Sequence, residues 1–332
     1  MTTEPPRDDT RIRFRDVPTR LPTTTHPDTD RLVTASSRWC RTHLRACARS
    51  DAELAAYLGG GISTLVCRML PNAPHEVTLA ACDLFEYLVL LDDAMGDRGR
   101  LGASEHAARH AAGRVMVALT DWGGYPDAAT EGVYDAARRL RPHLSERQWE
   151  RLAVGVADYL DGCVLEVAAG DDDLADLAAY TRRRRVTVGM RWILVLAELT
   201  AGGRLDPGVP LDPRVRELHT IALDHLWMVN DLFSYLKEWH GRECTTNVVP
   251  LLCRTRGHDP QGAVDWLFDH IAEREAAFLR AGREIESGMA AGRSAVPGYL
   301  HNIALVMSSA LYWSRDTTRY HVPGLPDPRR RT

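Results

Sequence analysis

Lysine is almost missing from this chain: of 41 basic residues, all but Lys237 are arginine. A bias of that size reflects a GC-rich coding sequence. It also singles out the one lysine, because ammonium and guanidinium differ in shape and donor geometry. No CxxC pair is present. The seven cysteines are scattered and odd in number, which excludes a disulfide framework or zinc site and leaves small apolar residues in a reducing compartment. No apolar run approaches the roughly 20 residues that span a bilayer; stretches such as 192–197 fall far short. The first 30 residues are polar, carry five prolines and lack the apolar core of a signal peptide, so a cytoplasmic location is expected. A concentrated basic face is also absent. Net charge is −4 with both signs spread along the chain, which argues against nucleic acid as a partner. Alternating strand patterns bounded by Asn-Gly or Asp-Gly turns are not found either.

What is present is helical pattern. Hydrophobic residues make up 45% of 332 positions, enough for a substantial core. Ala, Leu, Arg and Glu dominate, with apolar residues recurring at three- and four-residue spacing. The spacing predicts helices near 30–48, 51–71, 75–96, 103–121, 128–143, 146–169, 174–201, 213–240, 261–289 and 296–318. Breaks are expected at Gly59-Gly60-Gly61, 71–74, 96–102, Gly123-Gly124, 171–173, 202–213 and 241–260, where glycine, proline and turn-forming polar residues cluster. Residues 1–28 read as an irregular, mobile N-terminal segment, 29–322 as one all-α bundle of about ten helices, and 323–332 as a C-terminal tail. A bundle of this size can enclose an apolar cavity between its helices.

Two constellations carry chemistry. In the first, a mostly apolar stretch from 84 to 91, with only Glu86 charged, runs into Asp92, Asp93 and Asp97. Asp93 and Asp97 lie one turn apart on an ideal helix, with Asp92 rotated by about 100° from Asp93. Gly96 and Gly99 indicate that the helix stops there, so the acids oppose the negative end of its dipole. A bound Mg²⁺ would offset that cost. A solvated acidic helix end would carry the same residues.

In the second, Asn230, Ser234 and Glu238 fall at four-residue steps and line one helical stripe with about 40° of drift per step. Amide oxygen, hydroxyl and carboxylate are hard donors of the kind Mg²⁺ takes. Their flanks are apolar: Leu226, Trp227, Met228, Val229, Leu232, Phe233 and Leu236. A satisfied buried polar network is the alternative. Together the two clusters could hold metal from two sides of a cavity mouth with a diphosphate between them, and basic donors would then be needed nearby. Lys237, the arginine run 182–185 and Arg319-Tyr320 are the candidates. A four-arginine run is by itself usually a solvated helix face.

With these residues in view, the chain resembles the class I terpene synthase family, in particular its bacterial cyclases. Asp92-Asp93-x-x-x-Asp97 is similar to the family's aspartate-rich motif. Asn230-Asp231-Leu232-x-Ser234-x-x-Lys237-Glu238 matches its second metal motif, and Arg319-Tyr320 its C-terminal pair. Arg184 stands 46 residues before Asn230, close to the family's diphosphate-sensing arginine. Arg185 is the alternative, because it puts Gly189 four residues on, where the family has a helix break.

The resemblance implies three Mg²⁺ ions, with Asp92, Asn230, Ser234 and Glu238 as ligands and Asp97 a weaker one, since geometry turns it away from Asp92. It implies Asp93 pairing with Arg319, and Arg184 or Arg185, Lys237, Arg319 and Tyr320 contacting the diphosphate of a prenyl substrate. Trp313 resembles a pocket aromatic. Phe85, Tyr87, Leu88, Val89, Gly189, Trp192 and Trp227 are further wall candidates, each of which could equally be ordinary core. Val89 and Leu88 stand where relatives that cyclise C15 chains often carry aromatics, which leans the expectation toward C20 geranylgeranyl diphosphate over C15 farnesyl diphosphate. Members of the family are often homodimers. A chain-elongating prenyltransferase, a helical binding protein with acidic surface clusters, and a nucleic-acid role for 182–185 are the competing readings; Asn230 and Ser234 favour a cyclase over the first.

Overall fold

The computed structural model describes residues 12–97, 100–121, 126–169, 176–241, 247–288 and 294–327. Among them are thirteen α-helices and no strand. The first six are α1 (Thr29–His43), α2 (Asp51–Leu58), α3 (Ile62–Met69), α4 (His75–Gly96), α5 (Glu105–Thr120) and α6 (Glu131–Leu140). Then follow α7 (Glu146–Ala169), α8 (Leu177–Thr187), α9 (Arg191–Leu196), α10 (Pro213–Gly241), α11 (Val248–Arg256), α12 (Pro260–Gly288) and α13 (Val296–Asp316).

The three helices beyond the expected ten have local causes. Gly61, at φ 70°, splits the helix expected over 51–71 into α2 and α3. Gly189, at φ 69°, splits the one expected over 174–201 into α8 and α9. L-residues with a Cβ avoid this left-handed region. Helix α11 rises inside the expected break at 241–260. Asn247 caps it by accepting from the Val249 N–H, and Val248, Val249, Leu251 and Leu252 give it a buried face. Ser50, Ser104 and Asp176 cap α2, α5 and α8 in the same way, each worth about 1 kcal/mol. The breaks expected at Gly123-Gly124 and 171–173 lie outside the described residues, as do 1–11 and 328–332 of the two terminal segments.

Helix α10 packs along α12 and α13 and meets α8 and α11. On the other side α4 packs on α1, α3 and α6, and α7 on α5, α8 and α9. Two apolar clusters result. The larger gathers side chains from α1 to α7, α9, α10 as far as Leu226, the later part of α12 and most of α13; the smaller joins Tyr180 of α8, α10 from Trp227 on, α11, the first part of α12 and the N-terminal Ile12 and Phe14. Residues 12–28 carry no helix, yet they are pinned to the bundle. Ile12, Phe14 and Leu21 are buried, Phe14 stacks on Phe233, and Ser308 donates to the Pro22 carbonyl at 2.6 Å. No described helix is long and apolar enough to cross a membrane.

Candidate active site

Helices α4, α8, α10 and α13 bring their C-terminal turns to one cavity of about 180 Å³. Its polar wall holds Asp92 and Asp93 from α4, Arg184 from α8, Asn230, Lys237 and Glu238 from α10, and Arg319 and Tyr320 just past α13. Each helix end contributes partial negative charge, so the carboxylates there stand in a field that favours cations.

On α4, burial and the neighbouring Asp93 charge push the Asp92 carboxyl above its usual range, while Cys163 Sγ donates to Asp92 Oδ1 at 3.4 Å. Asp93 goes the other way. Burial opposes its ionisation, but Arg319 and Lys237 outweigh that and hold it below the usual range. Arg319 grips it with both Nη atoms, and Lys237 Nζ stands 3.7 Å from Oδ1. Asp97 does not line the cavity. It sits one residue past α4 and pairs with Arg49 at 3.2 Å, because five residues of helix turn it well away from Asp92.

On α10, Asn230 and Glu238 face the cavity with the buried Ser234 between them. Asn230 accepts from Arg184 Nη2 at 2.7 Å and donates to the Tyr320 hydroxyl at 2.9 Å. Burial and the Asp231 charge push Glu238 up to about 7, although Asn247 donates to it at 3.0 Å. Arg184 is held by the fully buried Asp231, which also accepts from the Tyr180 hydroxyl and the Val248 N–H. Burial disfavours the charge on both partners and raises the Asp231 carboxyl above its usual range, against the pull of Arg184 and of those bonds. Arg185, one residue on and rotated by about 100°, binds Asp224 at 2.7 and 2.8 Å and is not part of the cavity wall. Of the two alternatives, the wall takes Arg184.

The segment carrying Arg319 and Tyr320 docks between α2 and α3. Thr317 Oγ1 and Trp313 Nε1 both donate to the Gly60 carbonyl, at 2.7 and 2.9 Å. Tyr320 meets the Trp313 ring edge-on at 5.6 Å.

The rest of the wall is apolar. Phe85, Leu88, Val89, Trp192, Trp313 and the Gly189 backbone line it, with Ile62, Leu65, Met190 and Leu226 beside them. Phe85 and Trp192 meet at 5.5 Å, and Phe85 lies about 10 Å along α4 from Asp92 at 1.5 Å per residue, so this pair floors the cavity. Two of the wall candidates are placed elsewhere. Trp227 is fully buried in the smaller cluster, edge-on to Tyr180, with Nε1 donating to Asp224 at 3.1 Å; α8 covers it. Tyr87 points to the far side of α4 and donates to the Ala129 carbonyl at 2.8 Å.

Sequence reasoning overlooks four polar groups here. Tyr159, Cys163 and Glu166 of α7 line the cavity, and Asp231 anchors Arg184. The α7 trio recurs at i, i+4 and i+7, a polar stripe that was the available signal. Glu166 is pushed up to about 7 by burial, against the pull of Arg184.

The donor set fits a divalent cation. Ser234 Oγ is buried beside Glu238 without a well-formed hydrogen bond, a state that costs about 1–3 kcal/mol and that a hard cation would relieve. Among the described residues no three His, Cys, Asp or Glu side chains converge. A cation here would therefore be held by Asn230, Ser234 and Glu238, with Asp92 opposite, not by an acidic cage.

Residues 83–277 match the family described as terpene synthase family 2, C-terminal metal binding. The (12E)-labda-8(17),12,14-triene synthase of Streptomyces anulatus is 29% identical over 96% of this chain and 97% of its own. The 4-epi-cubebol synthase of Streptosporangium roseum, named as cyclising (2E,6E)-farnesyl diphosphate, is 23% identical over 96% of both. Among solved structures, germacradien-4-ol synthase from Streptomyces citricolor superposes with a TM-score of 0.76 at 20% identity, covering 90% of this chain and 97% of that one, a likeness of fold.

Proposed function

The chain belongs to the terpene synthase family, and on that premise we propose that it is a Mg²⁺-dependent class I cyclase that ionises farnesyl diphosphate and closes the cation into rings. Terpene synthases are lyases acting on prenyl diphosphates, and the matched region is the family's metal-binding one. The observation that carries the reading is the meeting of Asp92 with Asn230 and Glu238 across one cavity whose far end is apolar.

Bound Mg²⁺, three ions by family resemblance, would neutralise charge building on the leaving diphosphate. The protein's own part is positional. Arg184, Lys237, Arg319 and Tyr320 surround the space where the diphosphate would lie, and their donors orient it and hold it after the C–O bond breaks. Asp93 keeps Arg319 and Lys237 turned inward. Below them the walls exclude water, so the carbocation is not quenched early. The faces of Phe85, Trp192 and Trp313 stabilise it through their quadrupoles.

Leu88 and Val89 do line the cavity, but the Phe85–Trp192 floor limits it to about 180 Å³. Leu88 and Val89 point to a C20 chain and the apolar end closed by Phe85 and Trp192 to a C15 one; the C15 chain is the reading put to the test. The cubebol-forming relative, named for farnesyl diphosphate, supports the same choice.

The test is incubation of purified protein and Mg²⁺ with C10, C15 and C20 diphosphates, followed by gas chromatography–mass spectrometry. Cyclic hydrocarbon or alcohol from farnesyl diphosphate is expected, with no isopentenyl diphosphate consumed. No product from any of the three would overturn the reading.

A further inference from the structure

Helix α7 meets the break between α8 and α9 through a pair of interlocking contacts. At Gly162 a Cβ would stand 2.6 Å from Thr187 Cγ2, so only glycine admits the threonine there. At Gly189 the relation is reversed: a Cβ would stand 3.0 to 3.4 Å from three ring atoms of Tyr159. A third close approach lies one turn lower, where a Cβ on Gly155 would stand 3.0 Å from the Trp192 backbone nitrogen. Residues 155, 159 and 162 share one face of α7, so the helix is keyed to the break along its length.

Both ends of this contact reach the polar wall. Thr187 accepts from Arg184 Nη1 at 3.0 Å, and the Val188 N–H donates to the Arg184 carbonyl at 3.0 Å, so the break is bonded to the arginine. One turn from Tyr159 on α7, Cys163 donates to Asp92, and the Tyr159 hydroxyl is turned to the same carboxylate.

We propose that Tyr159 and Cys163 are positioning residues, which fix the Asp92 carboxylate relative to the Gly189 break and so couple the metal side of the cavity to its arginine side. The proposal rests on the cyclase reading of the site. Tyr159 supplies the link, with its ring pressed on a backbone that carries no side chain and its hydroxyl on the Asp92 carboxylate. Cys163 supplies the orientation, through a thiol hydrogen that selects one rotamer of Asp92. When a diphosphate draws Arg184, the break and the Tyr159 ring follow, and Asp92 is presented to metal in register.

The experiment measures binding of Mg²⁺ in the presence of inorganic diphosphate by calorimetry, with thermal unfolding of each variant alongside. Tyr159→Phe and Cys163→Ala should each raise the Mg²⁺ concentration for half-saturation at least about tenfold, the scale of one hydrogen bond to a charged group. Their unfolding temperatures should stay close to that of the wild type. Cys163→Ser, which keeps a donor, should recover the wild-type midpoint. Unchanged midpoints in both Tyr159→Phe and Cys163→Ala overturn the coupling, as does a midpoint shift that Cys163→Ser fails to reverse. Wild-type protein that binds Mg²⁺ and diphosphate but turns over no prenyl diphosphate removes the proposed function and leaves the coupling measurable. Wild-type protein that binds neither removes both.

Discussion

Arg319 and Asp93, 226 residues apart, form a two-pronged ion pair that closes the C-terminal segment over the end of α4. Both nitrogens of the guanidinium fork are used, which a lysine cannot reproduce. Arg319→Lys should therefore lower kcat/KM for the prenyl diphosphate by at least about a hundredfold, the scale of one lost transition-state donor. Asp93→Asn leaves Arg319 and Lys237 short of a counter-charge and should cost about 2–4 kcal/mol in urea unfolding. Wild-type kinetics in Arg319→Lys would show that the fork is only a structural clasp.

Ser234 separates metal binding from folding. Its hydroxyl is buried beside Glu238 without a well-formed bond, so Ser234→Ala removes an unsatisfied group and should leave the metal-free protein as stable as the wild type, or up to about 1 kcal/mol more stable. The same change should abolish most of the thermal shift produced by Mg²⁺ with inorganic diphosphate. A variant that keeps the full ligand-induced shift would take Ser234 out of the donor set.

The motif positions were legible because spacing along one helix fixes phase: Asn230, Ser234 and Glu238 at four-residue steps must share a face whatever surrounds them. The helix breaks at Gly61 and Gly189 were only half legible. A glycine permits a left-handed turn, but tertiary contacts such as the Tyr159 ring decide that the turn is made. Trp227 was misplaced because phase relative to a cavity depends on the helix packed opposite, and Tyr180 of α8 lies against that face. The Tyr159, Cys163 and Glu166 stripe escaped notice because three unlike side chains form no motif until a cavity is found beside them.

Stability should depend on pH in a way that metal reverses. Burial moves Glu238 from its ordinary 4.5 up to about 7, and Glu166 similarly. Between those values the folded chain binds more protons than the unfolded one. The associated stability is complete below about 4.5 and is lost as pH rises through 7. Fully buried His225, pushed down to about 3 by burial, acts in the opposite sense: its contribution holds above 6.5 and is lost as pH falls. Metal-free protein should accordingly be less stable at pH 8 than at pH 6. Since metal requires the ionised carboxylate, Mg²⁺ with inorganic diphosphate should raise the unfolding temperature more at pH 8 than at pH 6. Equal shifts at the two values would mean that Glu238 is not a ligand.

Chain length should be set at the floor, where Phe85 meets Trp192. Phe85→Leu removes part of a ring that is 6% exposed and sits about 10 Å along the helix from Asp92. Truncation to Ala would cost about 3–5 kcal/mol in a core of this kind, so Leu is the gentler change. The space released lies at the end of the cavity farthest from the diphosphate, where the last isoprene unit of a C20 substrate would have to fit. Turnover of geranylgeranyl diphosphate relative to farnesyl diphosphate should rise at least about tenfold, a gain of 1.4 kcal/mol in selectivity. The rate on farnesyl diphosphate should fall, because a ring face that stabilises cations has been removed. An unaltered C20 to C15 ratio in a folded variant would move the length determinant away from Phe85, leaving Leu88 and Val89 of the same wall as the residues to vary next.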